Sequence, residues 1–267
     1  MSKEKPLVSI VMPTYNRRKK IGVTLESLKR QIYPLNRIEV IIVDDNSSES
    51  SEDIAMGYKG DFRRLIYLKN ESNKGPAFSR NRGVRESMGE FIFFTDDDGI
   101  ASEKWISEFV DFYEKHPKVG GVGGPLIPVS KSFVACIEVF KDRILGLKKN
   151  KVMMGRDVSV GFTSNMSYRR EIFDKCGYFN TAFKAPAGED RELGKRVAKH
   201  FDLAYVPVEM LHNHDYNAEY LVNLLTKQGL EKNPKGNLAQ KIIFLLVRSP
   251  ILVFNVSKKV LNYRLKR

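Results

Sequence analysis

The stretch EFIFFTDDDG, residues 90–99, joins a run of bulky apolar residues to three consecutive carboxylates. Short apolar runs bounded by polar residues are typical of strands buried on both faces of a parallel sheet. Three adjacent carboxylates repel one another and are costly to remove from water, so they need a positive partner. The stretch therefore predicts a buried strand over 90–98 that ends beside a cation.

The apolar runs upstream of this stretch alternate with helical patterns. A helix is predicted where Ile21, Leu25, Leu28 and Ile32 recur at helical spacing, and another around Pro76 to Met88. The other predicted strands are LVSIVMP (7–13), IEVIIVDD (38–45) and RRLIYLK (63–69). This alternation predicts an α/β fold: a doubly wound, mostly parallel, Rossmann-like sheet with helices on both faces.

Three of these strands end in polar clusters. Strand one ends at PTYN, strand two at DDNS and strand four at TDDD. In open α/β sheets, ligands bind at the carboxyl ends of the strands, so we expect the clusters to line one edge. A helix cap or a solvated turn would explain any one cluster alone, but three together favour a binding site.

The aspartates of the third cluster suggest a hard divalent cation. Oxygen ligands of this kind suit Mg²⁺ or Mn²⁺, whose usual partner is a diphosphate. If the strand pleat continues, Asp96 and Asp98 point the same way and Asp97 points to the opposite side. One of the first two could then bind the metal while the other holds a ribose or a metal-bound water.

The second half of the chain adds two further groups of polar residues. Strand, loop and helix are predicted in that order over 157–173, a helix over 187–200, and one strand over 203–215 that ends with His212 and His214. Either histidine could join a carboxylate–diphosphate metal site or be structural. The sequence does not indicate which of the two histidines is the better candidate ligand.

Glu189 and Asp190 stand at the start of the helix predicted over 187–200. Acids in a first helical turn favour the helix dipole, which would be a purely structural role. One of them could instead act as a general base that takes a proton from an acceptor hydroxyl.

Taken in order, these motifs resemble the inverting glycosyltransferases of glycosyltransferase family 2, which have the GT-A fold. The resemblance covers roughly residues 6–215. It rests on the segments VSIVMPTYNR, VIIVDDNSS, NKGPAFSRNRGVRESMGEFIFFTDDD, GFTSNMSYRREIFDKCGYFN and AGEDRELGKRV.

The resemblance implies a nucleotide site. Tyr15 would pack on the nucleobase, Asp45 would hydrogen-bond it, and Asp96 would approach the ribose. The nucleotide-binding residues that it implies are Pro13, Tyr15, Asp45, Arg80, Asp96 and Asp97.

The resemblance also implies a metal and a catalytic base. Asp98, with His212 or His214, would bind Mn²⁺ or Mg²⁺, and Asp190 would be the general base. The implied reaction moves a sugar from a nucleotide-sugar donor, with UDP favoured, to a hydroxyl of a glycan or lipid-linked acceptor. Processive members carry a Q-x-x-R-W element after the base, whereas the only tryptophan here is Trp105, so non-processive transfer is favoured.

Two other functions compete with this interpretation. A nucleotidyltransferase acting on a sugar phosphate would need a glycine-rich phosphate loop after strand one, but the first glycine is Gly22. A non-catalytic, membrane-associated protein that binds sugar nucleotides would tolerate loss of the acids, yet every expected acid is present.

Charge divides the 267-residue chain, which has a net charge of +13, into two predicted domains. Nine Lys or Arg and no Asp or Glu fall in residues 232–267, so we expect a catalytic domain over 1–231 and a basic, amphipathic helical tail over 232–267. The apolar part of the tail, 242–256, is shorter than the ~20 residues of a membrane span. Peripheral contact with an anionic membrane is favoured, and packing on the domain or on a second copy is the alternative.

The remaining features predict the surroundings of the protein. A basic segment with so many Ile, Leu, Val and Phe residues is not typical of a surface that binds phosphate backbones, so we expect no nucleic-acid partner. Cys136 and Cys176 do not make a disulfide framework and fit a reducing compartment. The start MSKEKPLVSIVMP predicts a first strand rather than a secretory signal. We therefore expect a cytoplasmic protein, peripheral on the cytoplasmic face of the membrane.

Overall fold

The computed structural model describes residues 4–130, 151–183 and 188–214. The chain divides into two compact units, and the first consists of Met1–Val129 and Asp142–Asn213. The second unit, Ser130–Lys141 and His214–Arg267, lies almost entirely outside the described residues, as do the predicted boundary at 231 and the tail. No helix of the described ranges is long and apolar enough to cross a membrane.

The strands of the described part form two sheets. In chain order they are β1 (Val8–Thr14), β2 (Ile38–Asp44), β3 (Arg64–Lys69), β4 (Phe91–Phe94), β5 (Gly99–Ala101), β6 (Val119–Gly123), β7 (Leu126–Pro128), β8 (Met153–Gly155), β9 (Met166–Arg169), β10 (Asp202–Tyr205) and β11 (Met210–His212). The larger sheet has the order β3-β2-β1-β4-β9-β6-β10-β8, and the smaller has the order β5-β11-β7. Strands β3, β2, β1 and β4 are parallel, whereas β9 is antiparallel to β4 and to β6. The predicted mostly parallel α/β sheet is confirmed.

Helices cover both faces of the larger sheet. They are α1 (Arg18–Lys29), α2 (Glu52–Met56), α3 (Pro76–Glu86), α4 (Trp105–Lys115), α5 (Glu171–Cys176) and α6 (Glu189–Val197), with 3-10 turns at Leu35–Arg37 and Thr163–Asn165. Alternate residues of β1 enter different cores: Ile10 packs with Leu25 of α1, and Val11 with Val84 of α3. Because both faces are covered, these strands read as continuous apolar runs.

The central prediction for the acidic strand was wrong in one respect. Strand β4 ends at Phe94, and the carboxylates stand in a turn in which the N–H of Gly99 donates to the carbonyl of Asp96 at 3.1 Å. The strand pleat therefore does not continue through the acids, and it does not set the directions of Asp96 and Asp98.

Three further boundaries differ from the predictions. The strand predicted over 203–215 is two strands, β10 and β11, in different sheets, and Pro207 between them cannot donate a ladder hydrogen bond. Within 157–173 the strand follows the 3-10 turn instead of preceding it, and Gly161 has a left-handed φ of 87° that interrupts extended chain. Ile32 lies beyond the end of α1 and is exposed.

Candidate active site

The carboxyl ends of β1, β2 and β4 meet at one edge of the larger sheet. The N–H of Asp45 donates to the carbonyl of Thr14 at 2.9 Å, and the Thr14 hydroxyl donates to Asp97 Oδ2 at 2.6 Å. Asn16, with a left-handed φ of 53°, turns the chain after β1, and its N–H donates to Ser47 Oγ at 2.8 Å. The three polar clusters therefore lie together, as the strand order predicts.

Pro13, Tyr15 and Asp45, the residues predicted to hold the nucleobase, lie at the ends of β1 and β2. The Tyr15 side chain is 48 % exposed, which leaves its ring open to a ligand. The buried Asp45 carboxylate accepts hydrogen bonds from Asn70 Nδ2 at 2.8 Å and from the N–H groups of residues 74 and 75 at 2.9 and 2.7 Å. A carboxylate offers about four lone-pair sites, so one remains for a base, and these roles stay predictions.

Asp96 has a cationic partner from α3. The Nη2 of Arg80 donates to Asp96 Oδ1 at 3.1 Å, and the Ser164 hydroxyl donates to Asp96 Oδ2. The Nη1 of Arg80 donates to Glu189 Oε1 at 2.9 Å. Arg80 is buried, so this guanidinium forms a fixed bridge between the end of β4 and the start of α6.

Asp97 faces the protein interior. Besides the bond from Thr14, its backbone carbonyl accepts a hydrogen bond from Thr24 Oγ1 at 2.9 Å. Burial raises the pKa of the Asp97 carboxyl to about 7, although the hydrogen bond from Thr14 acts in the opposite direction. The Asp97 side chain thus connects the turn of acids to Thr14 of β1. A direct contact of Asp97 with the nucleotide stays a prediction.

Asp98 is the candidate metal ligand. The Arg17 guanidinium donates to Asp98 Oδ2, and His212 Nε2 lies 3.1 Å from Asp98 Oδ1. Three ligand atoms lie within 4.8 Å of one another, one from each of Asp98, His212 and His214. A carboxylate with two imidazoles suits Mn²⁺ better than Mg²⁺, which prefers oxygen, so the donor set fits a divalent cation of this kind.

The smaller sheet brings His212 to this position. In β11, His212 is paired with Gly99 of β5 on one side and with Pro128 of β7 on the other. The N–H of Asn213 donates to the carbonyl of Asp98 at 2.8 Å. Because β5 directly follows the acidic turn, pairing with β11 fixes the histidine against Asp98.

Asp190 stands in the first turn of α6 beside a more deeply buried acid. The N–H of Arg191 donates to Asp190 Oδ1 at 2.7 Å, and the side chain is half-buried, which leaves it accessible to an acceptor. Burial raises the pKa of Glu189, although Arg80 opposes the shift. The assignment of the general base to Asp190 stays a prediction.

Sequence reasoning missed two residues of the site. Arg17 follows the TYN of strand one directly, and the demand of three carboxylates for a positive partner could have drawn attention to it. Ser164 lies 68 residues from Asp96 in sequence, and no local pattern indicates their contact.

The chain matches the model of Glycosyl transferase family 2 over residues 9–177, more than half of its length. It is 28% identical over 218 residues to a poly(ribitol-phosphate) beta-glucosyltransferase of Bacillus spizizenii, covering 76% of this chain and 34% of that protein. It is also 28% identical over 208 residues to a glucosyl-dolichyl phosphate glucuronosyltransferase of Haloferax volcanii, covering 75% and 61%. The match thus spans between one third and three fifths of the length of these relatives.

Solved structures have the same fold. Staphylococcus aureus TarS 1–349 in complex with UDP is similar with a TM-score of 0.60 at 21% identity, covering 88% of this chain and 68% of that one. The mannosyltransferase PcManGT of Pyrobaculum calidifontis, in complex with GDP-Man and Mn²⁺, has a TM-score of 0.60 at 18% identity, covering 96% and 74%. These likenesses confirm the predicted GT-A fold. With the match to the family model, they lead to one conclusion: this chain is a member of glycosyltransferase family 2.

Proposed function

We propose that the chain is a metal-dependent, inverting and non-processive glycosyltransferase that uses a nucleotide-sugar donor. The observation that carries this proposal is the cluster of Asp98, His212 and His214 ligand atoms within 4.8 Å, on the edge where β1 and β2 also end. Tyr15, directly after β1, and Asp45, directly after β2, would hold the nucleoside of a diphosphate bound at that cluster. The family match favours this reaction over the nucleotidyltransferase alternative.

In the proposed reaction, each group of residues has its own task. Tyr15 and Asp45 hold the base, and Asp96, oriented by Arg80 and Ser164, approaches the ribose. Mn²⁺ or Mg²⁺ held by Asp98 and the histidines would neutralise the negative charge that develops on the departing nucleoside diphosphate. Asp190 takes the proton of the acceptor hydroxyl as the oxygen attacks the anomeric carbon from the face opposite the leaving group. One displacement of this kind inverts the anomeric configuration.

The choice of donor and acceptor rests on similar proteins. TarS structures contain UDP or UDP-GlcNAc, whereas PcManGT contains GDP-Man, so proteins of this fold bind more than one nucleobase. We propose a UDP-sugar as the donor of this chain, as the family resemblance implies. The names of the relatives mention poly(ribitol-phosphate) and glucosyl-dolichyl phosphate. These names support a glycan or lipid-linked acceptor for this chain. Non-processive transfer is supported by the absence of a tryptophan after Asp190 in this sequence.

We further propose that residues 232–267 hold the enzyme on the cytoplasmic face of an anionic membrane. The support is the sequence alone, with nine basic and no acidic residues in that segment. Flotation with vesicles of anionic lipid should recover the full chain but not a variant lacking 241–267. If the truncated protein floats equally well, the tail is not the anchor.

The enzymatic proposal is tested by donor turnover. The purified chain is incubated with Mn²⁺ and a panel of UDP-, GDP- and dTDP-sugars, and free nucleoside diphosphate is measured. We expect release from one donor, lost with EDTA and in Asp98→Asn, and retained in Asp53→Asn, an exposed acid that pairs with Arg18. Release that persists equally in Asp98→Asn would contradict the metal assignment. Metal-dependent binding of nucleotide without release, persisting when glycan and lipid-linked acceptors are supplied, would favour the non-catalytic alternative.

A further inference from the structure

Arg17 reaches the candidate metal ligand from the start of α1. It is the residue before this helix, and the left-handed turn at Asn16 directs the chain from the end of β1 toward it. Its guanidinium donates to Asp98 Oδ2, and the Asp98 side chain is almost completely buried. Burial acts to lower the pKa of Arg17, but the charges of Asp98, Asp97 and Asp96 outweigh it and raise that pKa. Arg17 thus supplies positive charge directly to the turn of acids.

The contact occupies one of the two carboxylate oxygens that a metal could use. Arg17 holds Asp98 Oδ2 while His212 Nε2 lies 3.1 Å from Asp98 Oδ1. A divalent cation bound to Asp98 would stand within a few ångströms of the guanidinium, and the two positive charges would repel each other. The affinity of the site for a cation must therefore depend on where the Arg17 side chain lies.

Exposure distinguishes Arg17 from the other arginine of the site. The Arg17 side chain is 30 % exposed, whereas that of Arg80 is 5 % exposed and bridges two carboxylates. A partly exposed guanidinium has more freedom to move toward a ligand than that of Arg80, which is buried and held by two carboxylates. A guanidinium binds phosphate oxygens in a bidentate manner, so the diphosphate of a nucleotide is a suitable second partner for it.

We propose that Arg17 is a positioning residue that exchanges the Asp98 carboxylate for the diphosphate when a nucleotide binds, and so makes cation binding and nucleotide binding mutually dependent. This inference rests on the proposed function, because it assumes a divalent cation on Asp98. With Arg17 on Asp98, the cation binds weakly by itself. With Arg17 on the diphosphate, the carboxylate is released to the cation and the nucleotide gains a cationic contact.

Arg18 provides a matched control for this proposal. It is adjacent in sequence and loses the same charge when changed to Gln, but its guanidinium faces Glu49 at 3.2 Å and also pairs with Asp53. Any effect of lowering the net charge by one unit is therefore common to Arg17→Gln and Arg18→Gln. An effect of the contacts that Arg17 makes with the turn of acids is absent from Arg18→Gln.

The test measures Mn²⁺ and UDP binding separately. Free Mn²⁺ is titrated by electron paramagnetic resonance without nucleotide, and UDP binding is measured by calorimetry with saturating Mn²⁺. We expect Arg17→Gln to bind Mn²⁺ alone about tenfold more tightly and UDP about tenfold more weakly, the size of effect that one nearby charge produces. Arg18→Gln should change neither affinity. Arg17→Lys, which keeps the charge but not the fork of donors, should fall between the wild type and Arg17→Gln.

The result that overturns the inference is a Mn²⁺ affinity that is unchanged or weaker in Arg17→Gln. Circular dichroism checks that this variant is folded, and if it is not, Arg17→Lys carries the test by the same criterion. Asp98→Asn distinguishes failure of the metal assignment from failure of the Arg17 inference. If Asp98→Asn binds Mn²⁺ like the wild type, the metal assignment in the proposed function fails and the inference fails with it. If Asp98→Asn loses Mn²⁺ but Arg17→Gln shows no gain, only the inference fails.

Discussion

Arg80 Nη1 lies 2.9 Å from Glu189 Oε1, and both side chains are buried although they are 109 residues apart in sequence. The other terminal nitrogen of Arg80 is 3.1 Å from Asp96 Oδ1. One guanidinium therefore connects the end of β4 to the helix that carries Asp190. This bridge joins the donor side of the proposed site to its proposed catalytic base.

Removing the bridging charge should destabilise the fold strongly. Arg80→Met keeps an unbranched side chain but leaves the Asp96 and Glu189 carboxylates without their cation, and breaking buried pairs of this kind costs ~3–5 kcal/mol. Urea unfolding of the two proteins measures the difference. Arg85→Ala in the same helix removes only a cation–π contact with Tyr178, 4.6 Å from its ring centroid, and should cost under ~1 kcal/mol. Equal losses in both variants would mean that the bridge contributes nothing particular.

Glu189 should give the stability of the fold a measurable pH dependence. Burial raises its pKa above the usual value near 4.5, with Arg80 opposing and Asp190 adding to the shift. At pH values between the unfolded and the folded pKa, the folded state therefore retains a proton that the unfolded chain has released. The contribution of this group is fully present below about pH 4.5 and is lost as the pH rises through the folded-state pKa.

The measurement compares variants across that window. The free energy of unfolding is determined from pH 4 upward for the wild type, Glu189→Gln and Glu192→Gln. Glu189→Gln cannot titrate, so the decline of its stability with rising pH should be shallower than that of the wild type. Glu192 pairs with Arg196 at 2.7 Å on the outside of the same helix, and its variant should retain the decline due to Glu189. A wild-type slope in Glu189→Gln would show that this carboxyl is not shifted.

Asn165 should be the most sensitive polar residue of the loop before β9. Its Oδ1 accepts a hydrogen bond from Trp105 Nε1 at 2.9 Å, and its Nδ2 donates to the carbonyls of Pro125 and Val208 at 3.0 and 2.9 Å. Asn165→Leu removes the hydrogen bonds of Trp105 Nε1 and of the Val208 carbonyl, at about 1–3 kcal/mol for each buried group, whereas the Pro125 carbonyl keeps its bond from the N–H of Met210 at 3.0 Å. Because Ser164 is adjacent, we also expect weaker nucleotide binding.

Calorimetry and urea unfolding of Asn165→Leu measure both effects. Asn180→Ala is the control, since Asn180 is exposed and its side chain accepts only a local hydrogen bond from the N–H of Ala182. A loss of stability below about 1 kcal/mol in Asn165→Leu would contradict this account of the loop.

Sequence patterns predicted the parallel strands and their common edge because burial on both faces demands apolar runs. LVSIVMP, IEVIIVDD and RRLIYLK match β1, β2 and β3 to within one residue at each end. The polar residues at the strand ends could be placed together because strand direction alone decides which ends meet. The acids of 96–98 were misassigned to strand because the apolar run before them does not show where β4 ends, and the turn is closed by a hydrogen bond from the N–H of Gly99 to the carbonyl of Asp96.

Long-range pairings lay beyond the sequence. Nothing near Glu189 indicates that it is buried on Arg80 while its neighbour Asp190 stays accessible, since both are acids in a first helical turn. Likewise, His212 meets Asp98 through the pairing of β11 with β5, a short antiparallel contact that no local period reveals. Such contacts depend on tertiary structure, and only their residue types were visible in advance.

Nucleotide binding tests the central claim most directly, because it requires no acceptor. UDP, GDP and dTDP are titrated into the purified chain by calorimetry, with Mn²⁺ and with EDTA, beside Asp98→Asn and the control Asp53→Asn. We predict that UDP binds in Mn²⁺, that EDTA or Asp98→Asn weakens it about tenfold or more, as loss of a charged ligand contact does, and that Asp53→Asn matches the wild type. If none of the three nucleotides binds, or if UDP binds equally well to Asp98→Asn, the edge formed by β1, β2 and β4 is not a metal-dependent nucleotide site.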